Sequence, residues 1–439
     1  MPPRILPRPE HNISRKNIDE DALKVLYRLK KHGHTAYLVG GGVRDLLLER
    51  EPKDFDVGTS AHPQQIKKLF RNCFIIGRRF RLCHVRFGRY KVIEVSTFRK
   101  QATGDGEDPL IKRDNTFGTP EEDAFRRDFT VNALFYDIAS FSVIDYVEGI
   151  RSLEKREIRC IGDPELRFSE DPVRMLRAVA LAARLGFHIE RDTLEGIRAM
   201  RGEIVKSSPA RIIEELYKVL RQGAARRTFE LLHESGLLAY LMPEAERALE
   251  QAPEPLLGSL ARLDAYRKSG LARPEELTNP LLMGTLLVPL GIPLRRLQTR
   301  GRRPDEQASA RPEEMEAELQ ELGGEAPDPE PEGGGGSIEL PFARRDLEVL
   351  RLILAAQGRL RQLDSPPGAK RALAGKRYFE EALRWLEIHG GVEATELAAH
   401  WRGVEPAETP ADERGERRPR RRRRRRRRPR PDSSPASVS

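Results

Sequence analysis

Between Leu38 and Thr59 the chain reads LVGGGVRDLLLEREPKDFDVGT, with Gly40, Gly41 and Gly42 in succession. Few ordered structures tolerate such a run, because glycine loses more backbone freedom on folding than any other residue. A strand AYLV, a glycine turn and a helix opening at VRDLLL satisfy the pattern. Peptide N–H groups at such a turn converge on a concave spot suited to phosphate oxygens, and side chains there would obstruct the approach. Arg44, in the first helical turn, is placed to fork onto the same anion. A tight turn packed under a neighbouring strand also accounts for the glycines, and their spacing matches neither a Walker loop nor a dinucleotide fingerprint.

A dozen residues later comes DFDV. On a strand, Asp54 and Asp56 share one face while Phe55 and Val57 take the other. Two carboxylates held that close repel unless a divalent cation such as Mg²⁺ lies between them; an exposed strand end with two solvated acids is the alternative. The same alternation makes Glu94 the one acid projecting from KVIEVSTF, a further candidate ligand if that strand neighbours DFDV. In RRDFTVNALFYD a helix would place Asp128 and Asn132 on one face beside Arg127. In SEDPVRMLRAVALAARLGF, Asp171 before Pro172 reads as an N-cap with proline at N1. Arg174 and Arg177 then share a helix face that either meets solvent or projects into a cleft.

The wider pattern is a small sheet followed by helices. NIDEDALKVLYRLKKHG has Ala22, Leu23, Val25, Leu26 and Leu29 at helical spacing, with Gly33 as a stop. TAYLV, DFDVG, CFIIG, RLCHVRF and KVIEVSTF read as short strands, and long helical patterns take over from about Glu170. The predicted fold class is therefore α+β, a sheet head on an all-helical neck, body and tail, with a disordered insertion and C-terminus. The predicted boundaries are 14–150 for the head, 151–241 for the neck, 242–300 for the body, 301–337 for a flexible acidic and Gly-rich insertion, 338–402 for a C-terminal helical domain, and 403–439 for a disordered tail. No run is long and apolar enough for a membrane span or a signal core, which makes the cytoplasm the default. Cys73, Cys83 and Cys160 form no C-x-x-C pair and read as reduced, buried thiols.

The net charge of +10 is a property of one segment. Thirteen arginines and one glutamate between Arg414 and Arg430 contribute +12, leaving −2 for everything else. An unbroken run from Arg420 to Arg428 has no apolar face to bury, so it reads as a solvated arm for nucleic acid or for an acidic protein. Nine acids and no base lie between Glu313 and Glu332, a segment able to compete for that arm.

Taken in order, LVGGGVRDLLL, DFDV, RRDFTVNAL and EDPVRMLRA resemble the class II nucleotidyltransferases, the family of bacterial poly(A) polymerases and CCA-adding enzymes. The likeness runs from about Ile13 to Leu241, and IIGRRFRLCHV, residues 75–85, resembles the stretch that marks the poly(A) polymerase branch. What the resemblance implies is template-independent transfer of adenylate from ATP to RNA 3′ ends with release of pyrophosphate. CCA addition to tRNA, and RNA binding by an inactive head, are the alternatives. It implies a two-metal site, Mg²⁺ or Mn²⁺, on Asp54 and Asp56, with Asp128 as the third catalytic carboxylate where strand alternation selects Glu94. Gly41, Gly42, Arg44 and Asp45 would meet the triphosphate, Arg127 and Asn132 phosphate or sugar, and Asp171 and Arg174 the adenine edge with Arg177 in support. Two positions depart from the family: Ala180 replaces an arginine, and Ser152 replaces the acid of a Gly-x-x-Asp-Leu hairpin.

Overall fold

The computed structural model describes residues 2–77, 81–88, 91–100, 117–292 and 340–406. The first amphipathic stretch forms the helix Glu20–Lys31. Asp19 caps it by accepting from the N–H groups of Asp21 and Ala22, acids fill its first turn and bases its last, as the helix dipole favours. It buries Ala22, Val25, Leu26 and Leu29, whereas Leu23 is only partly covered.

That helix packs on an eight-stranded sheet: β1 (Arg4–Leu6), β2 (Ala36–Val39), β3 (Asp56–Thr59), β4 (Cys73–Ile76), β5 (Leu82–Phe87), β6 (Lys91–Thr97), β7 (Leu134–Asp137) and β8 (Ser142–Asp145). Their spatial order is β1-β8-β7-β2-β3-β6-β5-β4. Every neighbouring pair is antiparallel except β3 with β6, which is parallel and is joined through the helix Pro63–Leu69 and the β4–β5 hairpin. Side-chain alternation divides the sheet cleanly. Val57, Cys73, Cys83, Val85, Ile93 and Val95 enter the core with the helices Glu20–Lys31 and Pro63–Leu69. The opposite face is covered over β2, β7 and β8 by a second cluster that includes Val39, Phe98, Phe135 and Ile144.

Beyond the sheet the described chain is helical apart from one short parallel pair, Glu157–Ile158 with His188–Ile189, and it shares one continuous core. That core begins at Phe129 and Val131, runs through the helix Val173–Leu185 and the helix Asn279–Leu287, buried from Pro280 onward, and reaches Trp401. Trp401 donates its indole N–H to the Leu360 carbonyl at 2.8 Å, and the Tyr266 hydroxyl donates to Glu387 at 2.7 Å. The fold is α+β, a mixed sheet head with a predominantly helical body. The insertion read at 301–337 and the tail from 407 lie outside the described residues. All three cysteines are free and buried, and burial pushes the Cys83 thiol up to about 12 and that of Cys160 to about 11.

Three local expectations are corrected. RRDFTVNALFYD is not a helix: Thr130–Asn132 is a single 3₁₀ turn, and Leu134–Asp137 leaves it as β7, since its apolar residues pair with β2 and β8. Asp171 does not cap the following helix with its side chain; Pro172 occupies the cap position, and the Asp171 carboxylate turns to Arg211. Asp54 is exposed and lies just ahead of β3 instead of within it.

Candidate active site

Because β2 and β3 are antiparallel, Val39 at the end of β2 pairs with Asp56 at the start of β3. The glycine turn therefore opens beside Asp56. Each of its glycines makes room for a different neighbour. Gly40 has φ +75°, and a Cβ there would lie 3.1 Å from Arg127 Nη1. A Cβ on Gly41 would lie 3.3 Å from Arg44 Nη2, and one on Gly42 would lie 3.1 Å from the Asp54 carbonyl oxygen. Only Gly40 needs its left-handed backbone; the other two are bare so that a guanidinium and the chain carrying Asp54 can come close.

On its other side Asp56 pairs with Glu94 of β6, so the two carboxylates stand in register on neighbouring strands. Burial, together with the negative charge of Glu94, pushes the Asp56 carboxyl up to about 6; Arg127 opposes this and Asp54 adds to it. Negative charge concentrated here without full compensation suits a divalent cation bound through oxygen. Among the described residues no three acidic, histidine or cysteine side chains already converge as a coordination cage.

Asp128 has the opposite electrostatics. Burial would raise its carboxyl, but Arg177, the Asn132 amide, the Phe129 N–H and Arg174 outweigh it and hold the group below the ordinary carboxylate value. Arg177 Nη2 lies 2.7 Å from Asp128 Oδ2, an ion pair that joins the helix Val173–Leu185 to the head. Asn132 donates to Asp128 Oδ1 at 3.3 Å and accepts from Arg44, whose Nε donates to Asp45 at 2.8 Å. A polar relay thus runs Asp45–Arg44–Asn132–Asp128–Arg177, so the pairing of Asp128 with Asn132 holds although no helix creates it. Arg127 sits beside the relay, donating to the Asn132 carbonyl at 3.1 Å with its guanidinium 5.4 Å from the Phe135 ring.

On the neck side, Arg174 donates to the Arg167 carbonyl at 2.9 Å and to Glu170 at 3.0 Å. Asp171 Oδ2 accepts from Arg211 at 2.9 Å, while its buried Oδ1 has no hydrogen-bond partner among the described residues. Several supports escaped the reading of the sequence. Asp123 is buried, accepts twice from Arg127 and once from Arg126, and fixes both; its position four residues before Arg127, in a helix capped by Thr119, was a usable signal. Buried Arg167 donates to the carbonyls of Arg126 and Arg127 at 2.7 Å each, and nothing local in the sequence announces it. Ser152 is buried between the Thr130 hydroxyl, 2.9 Å away, and Glu157, 3.5 Å away, so a neighbouring acid stands near the departed family acid. Ala180 packs against the helical core.

Residues 36–159 match the model of the poly A polymerase head domain, and residues 186–249 match that of the probable RNA and SrmB-binding site of polymerase A. Poly(A) polymerase I of Salmonella typhimurium is 47% identical over 288 residues, 64% of this chain and 62% of the relative. Poly(A) polymerase I of Escherichia coli O157:H7 is 52% identical over 252 residues, 55% of this chain and 54% of the relative. The chain thus spans somewhat over half the length of these relatives. A crystal structure of the Bacillus stearothermophilus CCA-adding enzyme in complex with CTP superimposes with a TM-score of 0.58 at 27% identity, covering 87% of this chain and 81% of that one.

Proposed function

We propose, from the premise that this chain belongs to the family of bacterial poly(A) polymerases and CCA-adding enzymes, that it extends RNA 3′ ends with adenylate from ATP without a template. The observation that carries the reading is the convergence of the glycine turn, Asp56 and Glu94 at one end of the central strands. The identity to poly(A) polymerase I, 47% over 288 residues against 39% over 260 residues to the CCA-adding enzyme of Geobacillus stearothermophilus, supports adenylate over CCA addition.

In this reading Asp54 and Asp56 hold divalent ions, Mg²⁺ or Mn²⁺, with Glu94 as the adjoining acid. Such ions, when bound, supply positive charge to the oxygens of an in-line displacement at phosphorus. The bare backbone at Gly41 and Gly42, with Arg44 held by Asp45, receives the triphosphate; Arg127 and Asn132 line its flank. Asp171 Oδ1, buried without a partner among the described residues, accepts from the adenine amino group, and Arg174 beside it donates to the ring. Asp128 acts as a positioning residue: its charge is already taken by Arg177, so it orients Arg177 and Asn132. The RNA 3′-hydroxyl attacks the α-phosphorus as its proton passes to solvent water, the bond from that phosphorus to the oxygen bridging to the β-phosphate breaks, and pyrophosphate leaves with the electron pair.

No described helix is long and apolar enough to cross a membrane, in keeping with a cytoplasmic role in RNA processing or decay. The purified chain incubated with Mg²⁺, an RNA oligonucleotide and each nucleoside triphosphate in turn should yield long products with ATP alone. CTP incorporation that stops after two residues would assign CCA addition, and no extension would leave an RNA-binding protein. The arginine-rich tail is proposed as an electrostatic arm: deleting residues 414–439 should flatten the salt dependence of RNA affinity by about 0.7 log unit per log salt for each phosphate the arm had neutralised. An unchanged slope would show the arm to be idle.

A further inference from the structure

The face of the sheet that carries Asp56 does not end at the acids. Parallel pairing sets Asp56 opposite Glu94, antiparallel pairing sets Glu94 opposite His84, and the β4–β5 hairpin sets His84 opposite Phe74. Four side chains therefore form one row across β3, β6, β5 and β4, spanning roughly 14 Å at the usual strand separation. Alternation puts Ile76, Leu82, Arg86 and Val92 on the same face. The outer half of this face is open: Phe74 is 50% exposed, Ile76 44% and Val92 40%, although Cys73, Cys83, Val85, Ile93 and Val95 on the reverse side of the same strands are buried. The Arg86 guanidinium lies 4.8 Å over the Phe74 ring, and His84 Nε2 lies 3.5 Å from Glu94 Oε2. From Arg71 to Lys91 the sequence holds seven basic residues and no acid.

We propose that this open face is the track along which single-stranded RNA reaches the catalytic acids, with a base a few nucleotides from the 3′ end stacked against Phe74 and the Arg86 plane. Apolar and aromatic side chains on an open sheet accept base faces without regard to sequence, and guanidinium groups accept both base planes and phosphates. Among the described residues of this stretch Arg71, Arg81 and Arg86 are exposed and no acid lies among them, a charge that attracts a polyanion and repels a second copy of the same surface. The track is continuous with Asp56 through Glu94, so RNA stacked at its outer end has its terminus directed toward the acids. The inference rests on the adenylyl-transfer reading above.

The test is equilibrium binding of a fluorescent oligoadenylate ending in a 3′-deoxy residue, without ATP, to the full chain and to its Phe74→Ala and Phe74→Trp variants. Because Phe74 lies on the surface, both variants should melt with the wild type. Phe74→Ala should bind roughly 5- to 100-fold more weakly, the range expected for removing one base–aromatic stack, and Phe74→Trp should restore binding. In turnover, Phe74→Ala should raise the KM for RNA and leave the KM for ATP unchanged. Equal RNA binding by all three proteins overturns the proposal. So does a wild-type dimer that Phe74→Ala dissociates while RNA affinity stays the same, since the face would then belong to another copy. Binding that depends on Phe74 in a protein that adds no nucleotide would uphold the track and reject the transfer reading; normal addition with an unaltered RNA KM in Phe74→Ala would do the reverse.

Discussion

Asp56 and Asp128 are chemically identical and electrostatically opposite. Asp128 has a resident counter-ion in Arg177, whereas Asp56 faces Glu94 and Asp54 and is pushed up to about 6. A carboxyl raised on folding weakens the fold as pH climbs from its ordinary value through the raised one, because the folded state must then hold an unfavourable charge. Asp56→Asn should therefore raise the melting temperature of the metal-free protein above pH 6, by roughly 1 to 3 kcal/mol of stability, with the gain vanishing near pH 4 while nucleotide addition is lost. Divalent ions should correspondingly stabilise the wild type at pH 8 and much less at pH 5; equal shifts at both values would argue against Asp56 as a ligand. The glycines allow a separate check. Gly42→Ala sets a methyl group 3.1 Å from the Asp54 carbonyl, so it should lower kcat on the order of 100-fold, the cost of misplacing a reacting group by about an ångström, with the protein still folded by circular dichroism.

At the scale of elements, what was legible in the sequence was whatever repeats every two or every 3.6 residues. Strand alternation in KVIEVSTF was enough to bring Glu94 to the face of Asp56, and the structure places the two in register. RRDFTVNALFYD misled because a six-residue apolar pattern fits a helix or a strand, and its fate is decided by β2 and β8, which local sequence does not display. Arg167 and Arg211 were invisible for the same reason, being bound to partners about forty residues away. The β3–β6 ladder also guards its own alignment: a slip of β6 by one residue would turn Glu94 into the core and Val95 out of it. The tie between strand segment and neck helix can be measured. A double-mutant cycle of Asp128→Asn with Arg177→Met should give a coupling of about 1 to 3 kcal/mol in urea unfolding, and a coupling near zero would mean that the ion pair is incidental.

At the scale of the molecule, head and neck meet through arginines. Arg167 grips the carbonyls of Arg126 and Arg127, Arg177 reaches Asp128, and Arg50 donates to the carbonyls of Arg184 and Leu185 at the end of the neck helix. Arg167→Met should leave the Arg126 and Arg127 carbonyls without their donor and lower stability by about 1 to 3 kcal/mol, with faster amide exchange confined to the segment around residues 126–133; exchange spread evenly over the chain would contradict this. The Asp128–Arg177 pair has a consequence for biosynthesis. Asp128 receives its compensating charge from a residue translated some fifty positions later, so a nascent head emerging by itself keeps the Phe129 N–H and Asn132 contacts but lacks the guanidinium that answers Oδ2. On the adenylyl-transfer reading, the site would be complete only once the helix Val173–Leu185 has been made and has docked, so a prematurely terminated head would be born silent.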